Sequence, residues 1–121
     1  MFRVLVIDDN PDLRELMGVM LRAAGYSVEL AADGEAGLRS QRARPFDIVI
    51  TDIFMPNQDG IETIARLREE YPALKLVAIS GGGSHTKGDG YLFTAREIGA
   101  NAVLTKPFEQ EELLEVVRAL H

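Results

Sequence analysis

Short aliphatic runs and amphipathic segments alternate five times along this chain of 121 residues. Nearly uninterrupted apolar runs rich in β-branched residues predict strands that are covered on both faces. Four runs of this kind occur, at Val4–Ile7, Ile48–Ile50, Leu76–Ile79 and Ala102–Leu104. A fifth strand is predicted around Val28 and Leu30, which alternate with polar neighbours as in an edge strand. Strands that alternate with helices predict a parallel sheet with helices on both faces.

A helix is predicted after each strand. The first begins at Asn10 and Pro11, because Asn caps helices and Pro suits the first helical position, and it ends at Gly25. The second runs from Asp33 to about Arg42, and the third includes Ile61 and Leu67 and stops near Tyr71-Pro72. The fourth is a short helix that includes Leu92 and Ile98 and ends at Gly99, and the last has Leu113, Val116, Val117 and Leu120 on one side. We therefore predict an α/β fold: a doubly wound five-stranded parallel sheet with five helices. Its expected strand order is 2-1-3-4-5, one of the two common orders of such sheets and the flavodoxin-like one.

Composition narrows the class of function. The chain has 13 Lys+Arg against 19 Asp+Glu, a formal charge of -6, which argues against direct binding of nucleic acid. It has no cysteine, so disulfides, thiolate metal sites and cysteine nucleophiles are excluded. No apolar run is long enough to span a membrane, and Asp8 and Asp9 interrupt the first run, which argues against a signal peptide. We expect a cytoplasmic chain whose residues 1–121 form one domain.

Polar side chains follow the ends of four predicted strands. Asp8 and Asp9 come after the first strand, Asp52 after the third, Ser80 after the fourth and Lys106 after the fifth. In open parallel sheets, ligands bind beyond the carboxyl ends of the strands, where the strand order reverses. With strands one and three as neighbours, we expect the three carboxylates to converge there.

The residue types at these strand ends suit phosphoryl transfer to a carboxylate. Clustered carboxylates repel one another, and Mg²⁺ with its preference for oxygen ligands relieves the repulsion. Lys106 and Ser80 suit phosphoryl oxygens, and Asp52 is the candidate nucleophile. Taken singly, the Asp8–Asp9 pair could serve as helix-capping acids and Asp52 could open a turn. Their coincidence at the ends of four strands favours the functional interpretation.

Four segments carry a family resemblance. They read VLVIDDN at 4–10, DIVITDIFMPNQDG at 47–60, VAISG at 77–81 and VLTKPF at 103–108. In this ordered set, which covers essentially the whole chain, the sequence resembles the receiver domain of bacterial two-component response regulators. It is similar to the single-domain chemotaxis response regulator.

The resemblance implies the chemistry of the acidic residues. Asp52 would be the phosphoacceptor, phosphorylated by a sensor histidine kinase or a histidine phosphotransfer protein. Mg²⁺ would be bound by the carboxylates of Asp9 and Asp52 and by the backbone carbonyl of Phe54, with Asp8 assisting through water. The domain would not be an enzyme, apart from taking part in its own phosphorylation and dephosphorylation.

The resemblance also implies how the signal leaves the site. Ser80 would be the switch hydroxyl, Lys106 would pair with the phosphate, and the Lys106–Pro107 bond would be cis. The surface formed by the fourth helix, fifth strand and fifth helix would bind a downstream protein or support a phosphorylation-dependent homodimer. Neither the kinase nor the target follows from the sequence.

Three positions depart from the family pattern. Val103 stands where receivers usually hold the Tyr or Phe that reports phosphorylation, and Tyr91 or Phe93 are candidates to replace it. The glycine-rich loop Gly81–Gly90 is longer than in most receivers. Phe54 and Gly82 occupy positions that tune loss of the phosphoryl group, and they predict a fairly long-lived acyl phosphate.

Two other functions stay open at this point. A phosphatase of the haloacid dehalogenase type also uses an Asp nucleophile, Mg²⁺, Ser or Thr, and Lys, but its motif is D-x-D after the first strand, whereas Asp8 and Asp9 are adjacent. An interaction module that keeps the fold without phosphorylation is the second alternative. The sequence also leaves open whether the chain stands alone or was cut from a longer regulator.

Overall fold

The computed structural model describes residues 2–53, 60–80, 97 and 99–121. Five parallel strands form one sheet in the order β2-β1-β3-β4-β5, which confirms the predicted order. The strands are β1 (Arg3–Ile7), β2 (Ser27–Ala31), β3 (Ile48–Asp52), β4 (Lys75–Ser80) and β5 (Ala102–Thr105). Each predicted strand is present and is one or two residues longer than predicted, so that Asp52 and Ser80 are themselves the last residues of β3 and β4.

Four helices lie within the described residues: α1 (Pro11–Ala23), α2 (Gly34–Ala43), α3 (Gly60–Glu70) and a C-terminal helix (Gln110–Leu120). The predicted caps are present. The Asn10 side chain accepts hydrogen bonds from the first turn of α1, and the Asp33 side chain accepts one from the first turn of α2. The predicted fourth helix, Leu92–Ile98, and the loop Gly81–Gly90 lie outside the described residues apart from Glu97. None of the helices in the described ranges has the length and apolarity that crossing a bilayer requires.

The sheet separates two hydrophobic layers. Leu5 and Ile7 of β1 point into one layer, together with apolar side chains of α2 and α3. Val4 and Val6 point into the other, together with side chains of α1 and the C-terminal helix. All four residues are fully buried. Because both faces are covered, the central strands read as continuous apolar runs in the sequence.

Val103 lies on β5, the strand at one side of the sheet, and is an aliphatic residue that packs against the core. It pairs with Ala78 across β4 and β5, and its half-buried side chain packs against the layer that contains α2 and α3. The proposed substitutes Tyr91 and Phe93 lie outside the described residues.

Candidate functional site

Three carboxylates meet at the carboxyl edge of the sheet. Asp8 and Asp9 follow β1, Asp52 ends β3, and the two strands are neighbours. One carboxylate oxygen from each residue lies within 4.8 Å of the other two. Asp8 and Asp52 are buried, whereas Asp9 is exposed. Two of the acids are therefore held inside the protein, and the third closes the cluster from the solvent side.

Lys106 brings a positive charge to this cluster from the end of β5. Its Nζ lies 2.6 Å from Oδ2 of Asp52 and 3.4 Å from Oδ2 of Asp8. Its backbone N–H donates to the carbonyl of Ser80 at 2.8 Å, which fixes the turn after β5 against the end of β4. The bond between Lys106 and Pro107 is cis, as the resemblance predicts. Ser80 is buried at the same end of the sheet. All five predicted residues, Asp8, Asp9, Asp52, Ser80 and Lys106, therefore lie at the carboxyl ends of the strands.

Burial works against the negative charge of Asp8. Its side chain is fully buried, and the resulting desolvation raises its pKa, although the backbone N–H of Asn10 and the charge of Lys106 oppose the shift. Oδ1 accepts a hydrogen bond from the Asn10 N–H at 2.9 Å. Oδ2 makes no hydrogen bond within the described residues and faces the Lys106 ammonium only as an ion pair.

The surroundings of Lys106, in contrast, favour its charged form. Burial alone would lower the pKa of Lys106, but its hydrogen bond to Asp52 and the charges of Asp52 and Asp8 outweigh burial and raise it. The ammonium is therefore held in its charged form between the two carboxylates.

The donor set fits a hard divalent cation. All three side chains offer carboxylate oxygens, which Mg²⁺ prefers, and they come within reach of one another at a solvent-facing edge. The buried Oδ2 of Asp8 makes no hydrogen bond within the described residues, so it keeps lone pairs that can accept a cation in addition to its ion pair with Lys106. The residues present thus suit Mg²⁺. Phe54, whose carbonyl completes the ligand set implied by the resemblance, lies outside the described residues, as do Gly81 and Gly82.

Gly60 allows the end of β3 to sit close to the start of α3. A Cβ atom at this position would overlap the carbonyl oxygen of Asp52 and the Cα of Ile53, and it would approach the carbonyl carbon of Asp52 to 2.9 Å. Backbone atoms cannot move aside as a flexible side chain can, so a side chain at residue 60 would displace Asp52. The absence of a side chain therefore helps to place the candidate nucleophile.

Sequence reasoning missed one residue beside the acids. The guanidinium of Arg14 on α1 donates to the backbone carbonyl of Asp8 at 2.7 Å. The available signal was a basic residue close to the N-terminus of a helix, where the helix dipole disfavours positive charge.

The comparison with known families decides the class of protein. The family model "Response regulator receiver domain" matches residues 4–118. The chain belongs to this family. Receivers act in two-component systems, with phosphorylation and Mg²⁺ binding as general features of the family. The match gives no support to the phosphatase alternative.

The curated relatives that this receiver matches are longer regulators. It is 36% identical over 119 residues to the transcriptional regulatory protein DltR of Streptococcus agalactiae, covering 96% of this chain and 50% of DltR. It is 38% identical to the response regulator MprA of Mycolicibacterium vanbaalenii, covering 98% of this chain and 49% of MprA. The chain thus spans about half the length of these curated relatives.

Solved structures agree with the family. The chemotaxis protein CheY4 of Vibrio cholerae superposes with a TM-score of 0.89 at 31% identity, with 100% of this chain and 99% of that chain covered. The receiver domain of NtrX from Brucella abortus superposes with a TM-score of 0.90 at 28% identity, with 97% and 96% covered. This receiver therefore shares its fold with a chemotaxis protein of nearly the same length and with a domain of a longer regulator.

Proposed function

We propose that residues 1–121 form one receiver domain that stores a signal as a phosphoryl group on Asp52. The observation that carries the proposal is the position of the Asp52 carboxylate. It is buried, lies 2.6 Å from the Lys106 ammonium, and belongs to the cluster with Asp8 and Asp9. A nucleophile, a fixed cation and a metal-binding set of oxygens in one place suit acceptance of a phosphoryl group.

In the proposed transfer, a carboxylate oxygen of Asp52 forms a bond to phosphorus. The bond between phosphorus and the donor histidine nitrogen breaks, and that nitrogen keeps the bonding electrons. If the other ring nitrogen carries no proton, the leaving nitrogen takes one from solvent, so that a neutral imidazole is released. Lys106 pairs with the phosphoryl oxygens as charge builds on them. Asp9, Asp52 and the backbone carbonyl of Phe54 would hold Mg²⁺, with Asp8 assisting through water, and the bound ion supplies charge neutralisation at those oxygens.

The proposed signal is a shift between two surfaces of the domain. Ser80 is placed at the end of β4, one strand away from Asp52, and would follow the phosphoryl group as the switch hydroxyl. The shift favours one of two pre-existing conformations. The predicted fourth helix, β5 and the C-terminal helix would then bind a protein target or a second copy of the chain.

The proposed partners follow from the family and from charge. A sensor histidine kinase or a histidine phosphotransfer protein would supply the phosphoryl group in the cytoplasm. The formal charge of -6 on residues 1–121 disfavours their direct binding to nucleic acid, because the phosphate backbone is also negative.

Phosphorylation by a small-molecule donor tests the proposal. With acetyl phosphate and Mg²⁺, we expect the intact mass to increase by one phosphoryl group. Chelation of the metal should slow adduct formation more than about tenfold, because the ion contributes to stabilising the transferred charge. No adduct with Mg²⁺, or an equal rate with chelator, would contradict the proposal. Sustained release of phosphate from a phosphomonoester without an adduct would indicate a phosphatase instead.

A further inference from the structure

Asp8 is held by hydrogen bonds at every polar group except one. Its backbone N–H donates to the carbonyl of Ala31 at 3.1 Å, and its Oδ1 accepts from the Asn10 N–H at 2.9 Å. Its backbone carbonyl accepts from Nη1 of Arg14 at 2.7 Å. Only Oδ2 is left without a hydrogen bond within the described residues, and it lies 3.4 Å from Nζ of Lys106.

Arg14 does not neutralise the acids beside it. Among the salt bridges of the described residues, none includes Arg14, although Asp8, Asp9 and Asp12 are its neighbours in sequence. Its guanidinium instead donates a hydrogen bond to the backbone carbonyl of Asp8. Arg14 is the fourth residue of α1, where the helix dipole gives a positive charge no benefit.

We propose that Arg14 is a positioning residue of the metal site. By holding the carbonyl of Asp8, it fixes the turn between β1 and α1 so that the carboxylates of Asp8 and Asp9 face the cation. The inference rests on the proposed function, because it concerns the Mg²⁺ that Asp52 chemistry would use. Residues that orient the ligands of a metal commonly change its affinity when they are replaced.

A role of Arg14 in positioning and an effect of its charge alone predict opposite changes in Mg²⁺ affinity when Arg14 is replaced. A guanidinium close to a cation site repels the cation, so loss of the charge alone would strengthen Mg²⁺ binding. Loss of the hydrogen bond to Asp8 frees the turn and would weaken binding. We expect positioning to prevail, and the Arg14→Met variant to bind Mg²⁺ about tenfold more weakly.

Calorimetric titration with Mg²⁺ tests this inference on the full chain. The variants are Arg14→Met, Arg14→Lys and the matched control Arg22→Met. Arg22 also lies on α1 and donates to a backbone carbonyl, that of Val28 at 3.1 Å, but on the last turn of the helix. We expect wild-type affinity for the Arg22 variant and an intermediate affinity for Arg14→Lys, which keeps a donor and a charge.

Each outcome decides between the inference and its alternatives. Equal or stronger binding by Arg14→Met, with wild type binding normally, overturns the role of Arg14 and leaves the proposed function intact. Equal weakening in Arg14→Met and Arg22→Met indicates general loosening of α1 and also overturns it. If Arg14→Met does not fold, as judged by thermal unfolding, the Arg14→Lys titration decides, and unchanged affinity overturns the inference. Absence of Mg²⁺ binding by wild type overturns both this inference and the metal site of the proposed function.

Discussion

Replacement of Asp52 by Asn is expected to abolish the phosphoryl adduct. The amide is nearly the same shape as the carboxylate, but its oxygen lacks the negative charge that makes the carboxylate a nucleophile. The Asp52 carboxylate is buried at the end of β3 and lies 2.6 Å from the Lys106 ammonium, the charge that would stabilise the transferred group. Intact mass after incubation with acetyl phosphate and Mg²⁺ measures the effect.

Asp12→Asn provides the matched control for this prediction. Asp12 is an exposed acid in the first turn of α1, close in sequence to the cluster but outside it. We expect the Asp12 variant to form the adduct at the wild-type rate. An adduct that persists on the Asp52 variant would show that another residue, such as Asp8 or Asp9, accepts the phosphoryl group.

Replacement of Lys106 by Met is expected to affect both chemistry and stability. The ammonium is the fixed positive charge beside Asp52, and loss of a preorganised charge stabiliser commonly slows a reaction about a hundredfold. In metal-free protein, the buried carboxylates of Asp8 and Asp52 also lose their ion pairs with Lys106. We expect the free energy of unfolding to fall by about 3 kcal/mol, as when one partner of a buried pair is removed. Phosphorylation kinetics and urea denaturation measure the two effects.

Lys75→Met is the control for the loss of a lysine charge. Lys75 begins β4 at the opposite end of the sheet and is exposed. Its replacement should leave phosphorylation unchanged and alter stability little. Saturating Mg²⁺ should restore part of the stability lost in the Lys106 variant, because the ion offers the carboxylates another positive partner. A Lys106 variant that is as stable and as readily phosphorylated as wild type would contradict the proposed role.

The sheet and the position of the acids could be predicted from local patterns. Uninterrupted apolar runs such as Val4–Ile7 identify strands that are covered on both faces, and the covering layers are present. Once β1 and β3 are neighbours, the residues that follow them must meet at one edge, and Asp8 and Asp52 do so. The site was predictable because its members are tied to strand ends.

Contacts that depend on tertiary packing could not be predicted from local sequence patterns. Arg68 of α3 donates to the carbonyls of Leu74 and Gly99 and to the side chain of Asn101, and it thereby joins the segments that precede β4 and β5. In the sequence it is one more arginine on a helix. Gly60 could be taken for an ordinary turn residue, whereas the close approach of Asp52 is what requires it. Such roles follow from distances that no local spacing encodes.

Paramagnetic broadening by Mn²⁺, which replaces Mg²⁺ at oxygen sites, tests most directly whether the separate acids form one cation site. In amide NMR spectra of the wild-type chain, we expect small amounts of Mn²⁺ to broaden the signals of residues 8–10, 52–53 and 106 first. Signals at the opposite edge of the sheet, such as Tyr26 and Leu74, should stay sharp, and excess Mg²⁺ should restore the broadened ones. Broadening that begins elsewhere, or that leaves the signals around residue 52 unaffected, would contradict the account.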